Sequence, residues 1–210
     1  MLALLRRHVT EERVIDAMGT VPRERFVSTE LRDRAYDDSA LPIGAGQTIS
    51  QPLIVALMLE AAQIEPTDRV LEVGTGSGYQ AAVLSRLARE VVTVERIAAL
   101  RERAEVVLLE LGYTNVIVEQ ASDVLGWPER APYDVIVVAA GAPHIPRQLL
   151  DQLGPAGRLV LPVGERRGQE LMRATRTAHG IEIARLGACA FVPLIGREAW
   201  ESEAPQRRFD

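Results

Sequence analysis

The sequence predicts an α/β fold: a doubly wound, mostly parallel sheet with an N-terminal helical segment and an antiparallel β edge near the C-terminus. Three features lead there. From Arg69 onward, short β-rich runs alternate with helical stretches, the pattern of βαβ units. A glycine-rich stretch, Gly74 to Gly78, joins the first of these strands to the first of these helices. The segment from Arg158 to Leu186 is again β-rich, with Gly180 as a turn.

Taken in order, Val9, Val14, Ile15 and Met18 recur at roughly helical spacing, and Thr10 followed by Glu12 and Arg13 reads as the helix start. Between Tyr36 and Pro52 the chain turns to Asp, Gly, Gln, Ser and Pro without a period, which predicts a long structured loop of the kind that often carries function. Strands follow at Val70–Val73, Val91–Glu95, Val116–Glu119 and Asp134–Ala139, with helices over Ala81–Ala88 and Ile97–Leu111. A short helix over Gln148–Leu153 ends at Gly154, and strands at Arg158–Val163, Leu171–Thr175 and Ile181–Leu186 complete the sheet. Residues 1–210 read as one domain, divided into the helical segment and loop (1–52), a cofactor-binding core (53–165), the β-rich tail (166–198) and a polar stretch (199–210) that frays after Trp200.

Composition narrows the function. A net charge of -5 and a pI near 5.4 oppose binding to polyanions, so nucleic acid is not an expected partner. All 24 basic residues are arginine, which removes Schiff-base lysines and phosphate-loop lysines. Cys189 stands alone, consistent with a reducing compartment and incompatible with an internal disulfide. Met1 to Leu5 is too short an apolar run for a signal peptide, and no stretch reaches the roughly 18 apolar residues of a membrane span. A cytoplasmic protein without membrane attachment is expected.

The glycine stretch Leu71-Glu72-Val73-Gly74-Thr75-Gly76-Ser77-Gly78-Tyr79 follows a strand and opens a helix, the setting in which glycines let a backbone approach a ligand closely. A dinucleotide site has Gly-x-Gly-x-x-Gly, whereas this loop runs Gly-x-Gly-x-Gly and places Tyr79 at the third glycine position. Glu72, two residues before the first glycine, repels a pyrophosphate but attracts the ammonium or sulfonium of S-adenosylmethionine. Glu95, about twenty residues beyond the loop at the end of the next strand, is placed to accept ribose hydroxyls. The plainer reading is a tight turn flanked by two exposed acids.

Leu41-Pro42-Ile43-Gly44-Ala45-Gly46-Gln47-Thr48-Ile49-Ser50-Gln51-Pro52 closely resembles the signature loop of the protein-L-isoaspartate (D-aspartate) O-methyltransferases. The likeness continues in Val21-Pro22-Arg23-Glu24-Arg25-Phe26-Val27, the glycine loop, Gly126-Trp127-Pro128-Glu129 and Phe191-Val192-Pro193-Leu194, covering roughly residues 10 to 198. The resemblance implies a Rossmann-like class I methyltransferase. Such an enzyme moves the methyl of S-adenosylmethionine to the free carboxylate of isoaspartyl residues in damaged proteins, and the ester returns toward aspartate through a succinimide. S-adenosylhomocysteine is the other product, and a monomer is expected. By the same resemblance Ser50 is the active-site serine, and Thr48 lines the cleft beside it. Ile49, Gln51, Glu72, Gly74, Thr75, Gly76, Ser77, Gly78 and Glu95 surround the cofactor, and Val192 lies near the bound isoaspartyl backbone. Where the family has Gly-Asp-Gly, this chain has Ala121-Ser122-Asp123, so the adenine contact falls to Ser122 or Asp123. His144 and Ile195 stand where a glutamate and a threonine are common.

A carboxylate nucleophile is ionised at neutral pH and needs no general base, so the lack of an evident catalytic histidine is in keeping with the chemistry. What remains is positioning and exclusion of water, for which the hydroxyls of Thr48 and Ser50 are suited. On spacing alone those hydroxyls read better as caps for the helix beginning near Pro52, and it is the resemblance that turns the reading toward function. His8, His144 and His179 are too scattered for a metal, and none is expected. Cys189 reads as a small core residue, Trp127 and Tyr79 as packing or as partners of the adenine, and Arg101 and Arg103 with Glu102 and Glu105 as a solvated helix face. Another peptide or small-molecule carboxylate, a non-catalytic cofactor-binding relative and, more distantly, a dehydrogenase are the alternatives.

Overall fold

The structure is a computed structural model that describes residues 1–166 and 168–201. The polar stretch predicted to fray after Trp200 lies, beyond Glu201, outside the described residues.

Two helices open the chain, α1 (Leu2–Leu5) and α2 (Glu12–Thr20). The α2 N-cap is Glu11, whose carboxylate accepts from Arg13 N, rather than Thr10. Thr10 instead donates its amide and hydroxyl to Glu60 Oε1, at 2.6 and 2.8 Å, tying this segment to a later helix. Two 3-10 turns, Arg23–Phe26 and Thr29–Arg34, follow. The predicted loop then contains a hairpin, β1 (Leu41–Gly44) and β2 (Gln47–Ile49). Its turn runs through Gly44, Ala45 and Gly46, all at positive φ, a conformation that costs the two glycines little and strains Ala45. Helix α3 (Pro52–Ala62) starts with proline at its first position, where a missing N–H costs nothing, and ends at left-handed Gln63.

From there the predicted alternation holds: β3 (Arg69–Val73), α4 (Tyr79–Ser85), β4 (Glu90–Glu95), α5 (Ala98–Glu110), β5 (Val116–Gln120) and β6 (Tyr133–Val138). The solvated face of α5 is bound by Arg101 to Glu102 and Glu105. Helix α6 (Arg147–Asp151) is shorter than predicted, because the Gln152 carbonyl is taken at once by Tyr133 N and the chain enters β7 (Leu153–Gly164). Gly154 thus lies inside a strand instead of ending a helix. Strands β8 (Gln169–Thr177) and β9 (Gly180–Cys189) form an antiparallel hairpin turning at Ala178 and His179.

The sheet order is β5-β4-β3-β6-β7-β8-β9, parallel through β7 and antiparallel beyond. Successive strand side chains point to opposite faces, and both faces are covered. Val70, Val91, Val135 and Val160 pack toward α2–α5, while Leu71, Val92, Ile136 and Leu159 pack toward α6 and residues 125–131. That double burial is why the strands read as largely apolar runs, broken in β3 and β4 by the buried Glu72 and Thr93. The order reverses at β3, so a crevice opens beyond the C-terminal ends of β3 and β6.

Candidate active site

The glycine loop leaves β3 at that crevice. Gly74, Gly76 and Gly78 have φ of 98°, 54° and 88°, a conformation that L side chains adopt only under strain. Gly74 N and Thr75 N donate to Val94 O, and Gly76 N donates to Glu95 Oε2 at 2.9 Å, which folds the loop over the end of β4. The other Glu95 oxygen accepts from Ile97 N at 2.9 Å, so two backbone amides fix the carboxylate while each oxygen keeps a lone pair for a ligand hydroxyl.

Glu72 is fully buried. One carboxyl oxygen accepts from Thr93 Oγ1 at 2.5 Å, Thr93 shares a 2.6 Å hydrogen bond with Thr75, and Oε1 has no partner. Burial pushes this carboxyl up to about 8; the Thr93 hydrogen bond opposes the shift and the charge of Glu95 adds to it. Neither acid is exposed, which removes the plain-turn reading, and Glu72 is a proton-bearing group until a cation comes close.

Two clefts meet here. The larger, about 1010 Å³ and open to solvent, is lined by the glycine loop, Glu72, Glu95, Ile97, Ser122 and Leu125. The second, about 630 Å³, lies beside the end of β9 and, among the described residues, has no charged side chain in its wall. Thr48, Ser50, Ala139 and Val192 line both. Among the described residues neither the Thr48 nor the Ser50 hydroxyl has a hydrogen-bond partner. The capping reading fails for both, since Leu53 N at the start of α3 donates to Asp38 Oδ1 at 2.8 Å.

The opposing wall is held by backbone contacts. Val192 O accepts from Gly141 N at 2.8 Å, and the buried Gln169 amide grips Phe191 on both sides, accepting from its N–H at 2.7 Å and donating to its carbonyl at 3.4 Å.

Of the predicted cofactor residues, Ile49, Glu72, Gly74, Thr75, Gly76, Ser77, Glu95 and Ser122 line the larger cleft. Three do not. Gln51 faces the second cleft, its amide 3.5 Å from Asp38. Gly78 serves packing, since a Cβ there sits 3.2 Å from Ala104 Cβ and 3.3 Å from Leu108 Cδ1 on α5. Asp123 is exposed and outside both walls, while Ser122 stays in the wall in a turn with Val124. Trp127 packs against the second core and not into a cleft. Cys189 is half-buried in the second cleft instead of the core interior, and burial pushes its thiol up to about 11. Gln80, Arg96 and Ile97 line the larger cleft without any sequence signal beyond their nearness to the loop and to Glu95. Among the described residues no cluster of three His, Cys, Asp or Glu side chains suits a metal, and no helix is long and apolar enough to cross a membrane.

A parallel sheet whose order turns back at β3, a glycine loop over its end and an acid closing β4 define a Rossmann-like class I methyltransferase fold. A family model described as protein-L-isoaspartate(D-aspartate) O-methyltransferase matches residues 1–199, and the chain belongs to that family. It is 54% identical over 206 residues to protein-L-isoaspartate O-methyltransferase 1 of Rhodopseudomonas palustris (strain HaA2), across 97% of this chain and 84% of that relative. A solved protein-L-isoaspartate O-methyltransferase superposes with a TM-score of 0.84 at 30% identity, over 94% of this chain and 65% of that one. A Plasmodium falciparum protein described as a beta-aspartate methyltransferase, solved in complex with S-adenosyl-L-homocysteine, gives a TM-score of 0.79 at 26% identity over 91% and 94% of the two chains.

Proposed function

We propose that this chain is the repair enzyme that moves a methyl group from S-adenosylmethionine to the free carboxylate of L-isoaspartyl residues in damaged proteins. The observation that carries the reading is the pair of clefts with one shared wall at Thr48, Ser50, Ala139 and Val192.

The larger cleft fits the cofactor. The unpartnered Glu72 oxygen suits a cationic amino group, Glu95 suits a ribose diol, and Ile97 with Leu125 offers apolar walls to an adenine. When bound there, S-adenosylmethionine supplies a methyl group on a positively charged sulfur. The chain's own residues do the rest. Thr48 and Ser50 donate hydrogen bonds to one oxygen of the substrate carboxylate and leave the other directed at the shared wall. Among the described residues the second cleft holds no arginine in its wall, so none of them locks the carboxylate charge in a salt bridge and blunts its attack. Val192 and Ala139 keep water from the point of transfer. Residues 1–210 act as one domain. The protein acts as a monomer, and a chain with one cysteine and no disulfide framework suits a cytoplasmic setting.

Matched peptides that differ only in aspartyl or isoaspartyl linkage test the reading with labelled cofactor. Label on the isoaspartyl peptide alone is the expected result; equal label on both, or on neither, overturns it.

A further inference from the structure

Ser50 belongs to neither neighbouring element: Ile49 is the last paired residue of β2, and Gln51 already caps α3. Its carbonyl is held by Arg23, whose Nη2 donates at 2.8 Å. Arg23 is fully buried, with Nε donating to Ala35 O at 2.6 Å and its guanidinium carbon 4.6 Å from the centre of the Tyr79 ring. Tyr79 opens α4 directly behind the glycine loop and lines the larger cleft. Phe26, from the same 3-10 turn as Arg23, meets that ring edge-on at 5.7 Å. One buried cation thus touches both the segment that carries the Ser50 hydroxyl and the helix that follows the cofactor loop.

We propose that Arg23 is a positioning residue for methyl transfer, fixing Ser50 and Tyr79 at one spacing so that the substrate carboxylate and the cofactor meet in line. The side chain suits the task because a planar guanidinium donates in two fixed directions while its face covers an aromatic ring. A lysine ammonium reaches one of these partners at a time and reproduces only part of the arrangement. Arg23 lines neither cleft, so its removal acts on turnover through geometry and leaves the polar groups of Glu72 and Glu95 in place for the cofactor.

This inference rests on the methyl-transfer reading, and the unmodified enzyme's activity on the isoaspartyl peptide is measured first. An inactive parent enzyme overturns both. With an active parent, Arg23→Met and Arg23→Lys are compared for kcat, KM for the isoaspartyl peptide, cofactor Kd and thermal midpoint, and each is combined with Ser50→Ala. Misplacement of the acceptor is expected to lower kcat about 10- to 100-fold in Arg23→Met with cofactor Kd within about twofold of the parent, and Arg23→Lys recovers part of the loss. Because Arg23 acts through Ser50, its effect shrinks when Ser50 is already alanine. If Arg23→Met does not fold, Arg23→Lys and its double variant decide alone. A folded Arg23 variant with parental kcat, a loss confined to cofactor Kd, or effects of Arg23 and Ser50 that multiply independently overturns the assignment.

Discussion

Ser50 places an unpartnered hydroxyl where the two clefts meet, and hydrogen bonds to charged groups are the strong ones. Ser50→Ala is therefore expected to lower kcat by about tenfold or more, from the loss of one charge-assisted bond, while cofactor affinity stays at the parent value. Initial rates and equilibrium binding check this, and unchanged turnover removes Ser50 from the chemistry. Glu72 governs a different observable. Its folded-state carboxyl is raised from 4.5 to about 8, so the folded chain keeps a proton that the unfolded chain releases. The stabilising contribution is complete below the lower value and is lost as pH rises through about 8. In Glu72→Gln the fall in thermal midpoint between about pH 5 and 8 is expected to be shallower than in the parent; an identical pH dependence contradicts the burial argument. Sequence placed Glu72 and Glu95 correctly beside the loop, because both flank a glycine pattern with fixed spacing. It did not reveal their burial, which depends on β4 and the loop closing over each other. Nor did it separate Ser122 from Asp123, since the side-chain directions there are set by a turn and not by a period.

The elements that carry these residues are held by bonds between distant parts of the chain. Asp38 caps α3 through Leu53 N, so Asp38→Ala is expected to destabilise the protein by about 1 kcal/mol, readable by denaturant titration. A loss near zero contradicts a capping role for Asp38. Gly141 passes beneath Gln169, and a Cβ there sits 2.8 Å from Gln169 Cδ. Gly141→Ala is expected to push the amide off Phe191, loosening the Val192 wall and raising KM for the peptide more than KM for the cofactor. Equal effects on both contradict a wall that belongs to substrate binding. The hairpin β1–β2 was not legible as strands because its two runs are too short to show alternation, although Gly44-Ala45-Gly46 carried the turn signal. The early end of α6 was hidden for a related reason: Gln152 is captured by β6, a contact between residues nineteen positions apart that no local pattern shows.

At the scale of the molecule, the order of βαβ units fixed the site before any residue role was assigned. Parallel strands buried on both faces give apolar runs that stand out in sequence, and the reversal at β3 sets the crevice at their ends. What the runs do not encode is where the N-terminal 62 residues lie. Their packing over α4, β6 and β7 brings Arg23, Thr48 and Ser50 to the crevice, and it comes from long-range contacts such as Arg13 to Leu87 O and Arg173 to Ala61 O. The central claim is that cofactor and substrate occupy separate clefts divided by one wall. Calorimetric titration of an isoaspartyl peptide into enzyme saturated with S-adenosylhomocysteine tests this most directly. The predicted result is a ternary complex with one peptide and one cofactor product bound per chain; peptide that binds only by displacing S-adenosylhomocysteine contradicts it.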